Sequence, residues 1–286
     1  SDRARSLLLA HDNYNKMDRH VRSLDVIGID ENSDLVSIGS SKEFFILMEE
    51  AEGKDFFKDL ENPNEKTKEK IVKLAEFLVK LHSNKHISPA EYKRKIRDTI
   101  GSNCLMGIVD SYPNELNWTS GDEISEMVKR CIDYWIKTRN MGYRLCDIHG
   151  DFHPGNLWFK EDGDFTVLDR ARGTYGEAAD DLTAFLINPI FYSLAKNGNF
   201  EGIYKEMFDL FWNTYFMKTK DKEMRKIMAP YFAFRVAVVC NPYFYKDDFF
   251  GGVEKARKVR RKLFNFALNV LKDDEFRPEK INEYLS

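Results

Sequence analysis

The sequence predicts an α+β protein, with a β-rich start over residues 1–51 and a larger, mainly helical part over 52–286. Three observations carry this. Residues 21–30, 34–38 and 43–50 read as strands. Beyond residue 52, apolar residues recur at helical spacing. One Asp-Gly turn, flanked by short β-prone runs, interrupts that helical pattern near its middle.

The elements follow in order. Residues 3–14 read as a short helix ahead of the strands. Ile71, Leu74, Ala75, Leu78 and Leu81 lie on one face of a helix over 66–83. Ile124, Met127, Val128, Cys131, Ile132 and Trp135 form a similar stripe over 122–140. The loop and hairpin come next, at 149–169. Helices then run over about 177–196, 200–217, 221–240 and 252–272, and Pro189 should kink or break the first of these, because proline lacks the amide hydrogen a helix needs. The aromatic-rich stretches 208–216 and 231–245 read as helical core. The basic run Lys255-Ala256-Arg257-Lys258-Val259-Arg260-Arg261-Lys262 reads as a solvated helix face. No internal repeat is visible.

Composition narrows the class of function. At 286 residues the chain suits one two-lobed domain or two domains. Apolar residues make up 43% and charged residues 32%, as in a globular protein in water. A net charge of −3 gives no electrostatic reason to expect nucleic acid or an anionic membrane. Cys104, Cys131, Cys146 and Cys240 show no paired spacing, so reduced thiols are expected rather than disulfides or zinc. No apolar run reaches a membrane span, and the first residues do not read as a signal peptide. These features lead to an expectation of a cytoplasmic location.

The chemistry concentrates in His149-Gly150-Asp151-Phe152-His153-Pro154-Gly155-Asn156, then Leu157-Trp158-Phe159, a Lys160-Glu161-Asp162-Gly163-Asp164 turn, and Phe165-Thr166-Val167-Leu168-Asp169. If the turn centres on Asp162-Gly163, Asn156 and Asp169 fall opposite each other across the hairpin. Asp151 lies on the loop that enters its first strand. An amide oxygen and a carboxylate at one end of a hairpin suit a hard cation such as Mg²⁺, with a second carboxylate to spare. Phosphoryl transfer is the expected chemistry. A transition-metal hydrolase built on His149, Asp151 and His153 is a weaker reading, because His11, His20, His82 and His86 show no matching ligand spacing.

The pattern His-Gly-Asp-x-x-x-x-Asn, then a hairpin and Leu-Asp, resembles the catalytic core of the aminoglycoside phosphotransferase and choline kinase superfamily. The resemblance implies a protein-kinase-like two-lobed fold with an incomplete N-terminal β lobe and a larger helical C-terminal lobe. It implies that Asp151 orients the acceptor hydroxyl and takes its proton, and that Asn156 and Asp169 hold the metal. His149 would pack and hydrogen-bond within the loop. Asp181, in Ala179-Asp180-Asp181-Leu182, would brace that loop through its backbone amides. Upstream, Phe44-Phe45-Ile46-Leu47-Met48-Glu49-Glu50-Ala51-Glu52-Gly53 is similar to the hinge between the lobes. Met48 would line the adenine pocket, and the backbone of Glu49 and Ala51 would pair with the adenine edge. The helix over 73–82 resembles the first long helix of the C-lobe.

Two departures stand beside these matches. Neither a Gly-rich phosphate loop nor a strand lysine is visible upstream of Met48, which leads to the expectation that the chain starts after the strands that carry them. Arg170 follows the metal-binding Asp169 where the family more often has an apolar or aromatic residue. It is a possible phosphate contact, although Arg170 and Arg172 also read as surface arginines. The expected activity is ATP- and Mg²⁺-dependent phosphorylation of a small-molecule hydroxyl, on an aminoglycoside, a sugar or an amino alcohol. The alternative is a nucleotide-binding pseudokinase module of a larger polypeptide.

Overall fold

The computed structural model describes residues 7, 8, 10, 11, 23–38, 49–170 and 172–286. The chain divides into two compact units, Ser1–Glu50 and Ala51–Ser286. Its class is α+β.

In the first unit, residues 7, 8, 10 and 11 are helical. Strands β1 (Ile27–Ile29) and β2 (Leu35–Ser37) form an antiparallel hairpin in which Ile27 pairs with Ser37 and Ile29 with Leu35. Asp30 closes it by accepting the amides of Asn32 and Asp34 on its Oδ1, each at 2.9 Å. A side chain that hydrogen-bonds its own backbone in this way makes a tight turn favourable. Both strands are shorter than the sequence suggests. Most of the third expected strand, 43–48, lies outside the described residues.

The second unit opens with β3 (Lys54–Asp55), α1 (Phe57–Glu61) and α2 (Glu65–His82). A reciprocal cap starts α2: Asn64 accepts the amides of Lys66 and Thr67, and the Thr67 hydroxyl accepts the Asn64 amide. Its buried face carries Ile71, Leu74, Ala75 and Leu78. Helix α3 (Pro89–Ile100) is absent from the sequence reading, although proline at its first turn is a start signal. The short α4 (Leu105–Asp110) follows it. Helix α5 (Gly121–Thr138) buries Met127, Cys131, Tyr134 and Thr138. Ile132, assigned to that stripe from the sequence, is exposed instead. The buried face runs through Met127, Cys131, Tyr134 and Thr138, spaced four, three and four residues apart.

Strands β4 (Cys146–Asp147), β5 (Leu157–Phe159), β6 (Phe165–Val167) and β7 (Tyr175–Gly176) frame the loops of the central region. β5 lies between β3 and β6, and β4 pairs with β7. The rest is helical: α6 (Ala178–Asn197), α7 (Gly202–Thr219), α8 (Met224–Cys240), α9 (Val253–Lys272) and α10 (Ile281–Tyr284). Helix α6 is buried at every position from Ala178 to Ala195, enclosed by α7, α8 and α9. An apolar surface all round marks a helix at the centre of a core.

Pro189 does not break α6. It cannot donate to the carbonyl of Phe185, but the neighbouring Asn188 Nδ2 donates to that carbonyl (3.3 Å) and to that of Ala184 (2.7 Å). A side-chain amide thus supplies the hydrogen bond the ring removes, so the buried carbonyl stays satisfied. The basic run on α9 is only partly solvated. Arg260 is buried and paired with Asp247. Arg261 forms a fork on Glu123, at 2.7 and 2.8 Å. No helix among the described residues is long and apolar enough to cross a membrane.

The Glu123–Arg261 pair joins the start of α5 to α9 and gives a pH-dependent contribution to stability. The two bonds from Arg261, with the Ser120 amide and the Thr119 hydroxyl, lower the Glu123 pKa to about 2 against the effect of burial. A carboxyl lowered on folding stabilises the fold above its unfolded pKa, near 4.5, and that contribution is lost as pH falls towards 2. Glu123→Gln should therefore flatten the fall in melting temperature between pH 5 and pH 3. An unchanged slope in thermal melts across that range would remove Glu123 as a cause.

Candidate active site

The loop from Ile148 to Asn156 is held from behind. The Ile148 amide donates to Thr174 O at 2.9 Å, continuing the β4–β7 pairing. The amides of His149 and Gly150 donate to the two carboxylate oxygens of Asp181, each at 2.7 Å. Asp181 is fully buried in the first turn of α6. Its Oδ2 also lies 3.1 Å from His82 Nε2, and the Tyr215 hydroxyl lies 2.8 Å from His82 Nδ1. The imidazole thus donates to Asp181 while its other nitrogen accepts from the tyrosine. One carboxylate with three donors makes a rigid brace, since each of its bonds is charge-assisted in a dry setting. Gly150, at φ +87°, lets the backbone turn where both amides face that carboxylate. His149 is also buried. Its Nδ1 accepts the Asp151 amide at 3.3 Å, which puts the ring proton on Nε2, a buried nitrogen with no partner among the described residues.

Asp151 points away from this brace. Its Oδ1 accepts from Arg235 Nη1 at 2.7 Å, and its Oδ2 lies 3.3 Å from Arg172 Nη2 and 4.0 Å from His153 Nε2. Burial raises the Asp151 pKa, but Arg235 and Arg172 together outweigh it and hold the carboxyl below its ordinary value. At neutral pH Asp151 is a carboxylate, an acceptor able to orient a hydroxyl. His153 is pushed the other way. Burial, with help from both arginines, outweighs the pull of Asp151 and keeps its pKa below the ordinary value.

Asn156 donates its Nδ2 to the Asp151 carbonyl at 3.0 Å, which directs Oδ1 to the opposite side. The hairpin register differs from the sequence reading by one residue. Leu157 pairs with Val167, and the Leu168 amide donates to Asn156 O at 2.9 Å, so Leu168 rather than Asp169 lies across from Asn156. The cause is the turn. Its loop spans the three residues Glu161, Asp162 and Gly163, with Gly163 at φ +81°, not the two of a simple Asp-Gly turn. Asp169 follows Leu168 in a left-handed conformation, φ 57°, where the chain leaves the strand. The donor set, one amide oxygen and one carboxylate, suits a hard cation.

Arg170 donates to the carbonyls of Ile148 (2.8 Å) and Thr174 (3.1 Å), joining the segment after the hairpin to the loop. Arg172 is the arginine beside Asp151. It is half-buried, with its guanidinium 5.1 Å from the centre of the Phe234 ring, so the expectation of a surface arginine fails for it. Of the expected hinge residues, Met48 lies outside the described residues, Glu49 is exposed and Ala51 is half-buried.

The sequence reading missed Arg235. It is buried on α8, bonded to Asp151 and to Asp180, and within 3.5 Å of Gly150 O. A signal was present. Arg235 is the one charged residue in the otherwise apolar run Phe232-Ala233-Phe234-Arg235-Val236-Ala237-Val238-Val239, and a buried guanidinium needs carboxylate partners.

Asp151, His153, Arg172 and Arg235 line one end of a cavity of ≈ 640 Å³. Its walls are largely apolar, with Phe57, Ile187, Tyr192, Val238 and Phe249 among them. A concave apolar site with a few converging polar groups is the usual form of a small-molecule site.

The model of the phosphotransferase enzyme family (APH) matches residues 3–198. The chain belongs to this family. The match spans the whole loop and hairpin and ends just past α6. No curated protein matches the chain. Among solved structures, it is similar to a glucosamine kinase, at 13% identity and a TM-score of 0.43 over 67% of this chain and 52% of that one. It is also similar to a choline kinase from Cryptosporidium parvum Iowa II, at 12% identity and a TM-score of 0.40 over 100% and 75% of the two chains. A Plasmodium vivax ethanolamine kinase matches at 13% identity, with a TM-score of 0.35 over 99% and 69%. The chain spans about half the length of the glucosamine kinase it resembles.

Proposed function

We propose that this phosphotransferase-family chain transfers the γ-phosphoryl group of ATP to a hydroxyl of a small molecule. The observation that carries the reading is the ionised Asp151 carboxylate, at the end of an apolar cavity and on a loop held by Asp181. An acceptor in the cavity would place its hydroxyl against Asp151. As its oxygen bonds to the γ-phosphorus, the bond to the β–γ bridging oxygen breaks and ADP departs. The hydroxyl proton leaves along the bond to Asp151 and passes to solvent.

Arg235 fixes one oxygen of Asp151, so the carboxylate does not need to find its orientation during the reaction. The apolar walls exclude water, which otherwise competes as acceptor and screens charge. Asn156 Oδ1 and the Asp169 carboxylate would hold Mg²⁺, which supplies electrostatic stabilisation of the phosphates. We assign Met48, with the backbone of Glu49 and Ala51, to the adenine.

The test is a thermal-shift titration with ATP, with and without Mg²⁺, beside an assay of ADP release over a panel of hydroxyl compounds. Stabilisation that needs both ATP and Mg²⁺, with acceptor-dependent ADP release, is the expected result. Asp169→Ala should abolish the Mg²⁺-dependent part of the nucleotide shift. Asn156→Ala should weaken it less, since a neutral amide attracts a cation less than a carboxylate does. Adenosine without metal should bind both variants as it binds the wild type. Mg²⁺-dependent ATP binding without turnover of any acceptor would favour a pseudokinase module.

A further inference from the structure

The acceptor end of the cavity is not built for a polycation. The charged groups that face the cavity beside Asp151 are the guanidiniums of Arg172 and Arg235. Arg235 is committed, since Asp151 and Asp180 together take its Nη1 and Nη2. Arg172 is not. Its Nη2 approaches Asp151 only at 3.3 Å, while its Nη1 is buried with no partner among the described residues. A buried guanidinium N–H without an acceptor costs free energy that an anionic oxygen would recover. A second cation there would face two arginines.

Asn188, on the wall at the middle of α6, turns its Nδ2 to the backbone carbonyls of Ala184 and Phe185. Its Oδ1 is an acceptor suited to a neutral hydroxyl or amide donor. Of the other polar groups on the lining, His153, Tyr192 and Tyr245 are aromatic, and Asp55, Lys58 and Glu61 carry mixed charge.

Resting on the phosphotransferase reading of this site, we propose that the acceptor is a small hydroxy acid. Its carboxylate sits on the accessible side of the half-buried Arg172 guanidinium, its hydroxyl on Asp151, and its apolar body lies against Tyr192, Val238 and Phe249. Arg172 and Asp151 lie side by side, and each reaches its partner at a hydrogen-bond length of about 3 Å. The carboxylate and the hydroxyl are therefore separated by only a few bonds. Transfer forms the P–O bond at the hydroxyl oxygen, releases ADP and leaves the carboxylate unchanged. A planar fork on a carboxylate gives both affinity and orientation, which a lysine at the same place would not reproduce.

The test uses the whole chain with Mg-ATP and four acceptor sets: short hydroxy acids, their hydroxy amides, amino alcohols with aminoglycosides, and hydroxyalkyl phosphates. ADP release gives kcat and KM, and calorimetry gives acceptor binding independently of turnover. Hydroxy acids should exceed their amides in kcat/KM by 10-fold or more, on the order of one charge-assisted hydrogen bond. Arg172→Gln removes a partner of Asp151 and should slow acids and amides alike in kcat, but it should also raise KM for the acids alone, so that the acid-over-amide preference in kcat/KM is lost. Arg172→Lys should restore it only in part.

Higher kcat/KM for amino alcohols or aminoglycosides would overturn the acceptor class and leave the phosphotransferase reading standing. Preference for the phosphates would overturn the carboxylate as the anion. Hydroxy acids that bind through Arg172 without any ADP release would support the acceptor class and overturn the activity. An Arg172→Gln effect equal on acids and amides would reduce Arg172 to a structural role and overturn the proposal.

Discussion

Asp151→Asn is expected to lower turnover by on the order of 10²-fold or more, with nucleotide affinity nearly unchanged. The amide keeps the size of the side chain and can still accept from Arg235 through its oxygen. It loses the charge, and its NH₂ end faces either Arg172 or the incoming hydroxyl, where a donor is required. The loop itself should persist, because its amides are held by Asp181 rather than by Asp151. Nucleotide titration by fluorescence or calorimetry, beside steady-state kinetics, separates the two effects. An equal loss of ATP binding and turnover would contradict an orienting role and place Asp151 among the metal ligands.

The second large effect is on stability. Arg144 is buried and donates to Glu177 at 2.9 Å through Nε and again through Nη2, and to Asp221 at 2.7 Å; the Tyr92 hydroxyl completes Glu177 at 2.7 Å. Glu177 is only 2% exposed and sits just before α6, the helix whose first turn carries Asp180 and Asp181. Arg144→Met should cost about 3–5 kcal/mol, because it leaves a buried carboxylate without its counter-charge. Denaturant unfolding measures the loss. The double variant Arg144→Met, Glu177→Met should recover much of it, since apolar replacement of a whole buried pair is often close to neutral. A single-variant cost below about 1 kcal/mol, as for exposed ion pairs, would mean that the network is solvated in solution.

The loop that carries Asp151 and the hairpin after it were legible in sequence because their information is local. His149 to Asn156 is one loop, and the turn and strands that follow are short and bracketed by Asp and Gly. The same holds for α2, whose cap and apolar face lie within a few turns of one another. A few neighbouring residues decide such features through backbone propensity and side-chain period. The hairpin register sat at the edge of that reach. Two and three-residue loops both suit the sequence around Asp162-Gly163, and the choice shifts every cross-strand pair, which moved Leu168 into the place expected for Asp169.

By itself, then, the sequence determined the α+β class, the order of the long helices, and a loop bearing Asp151 and Asn156 ahead of a hairpin and Asp169. Only the tertiary structure decided what surrounds Asp151. Arg235 arrives from a helix far along the chain, and the apolar walls come from helices distant in sequence. The length of α6 past Pro189 depends on the direction taken by Asn188. In the basic run on α9, the burial of Arg260 depends on Asp247 lying opposite and the fork of Arg261 on the start of α5. The physical reason is common to all of these. A buried charge or an orphaned carbonyl is tolerated only when a partner is brought to it, and that partner is chosen by how helices pack in space rather than by spacing along the chain.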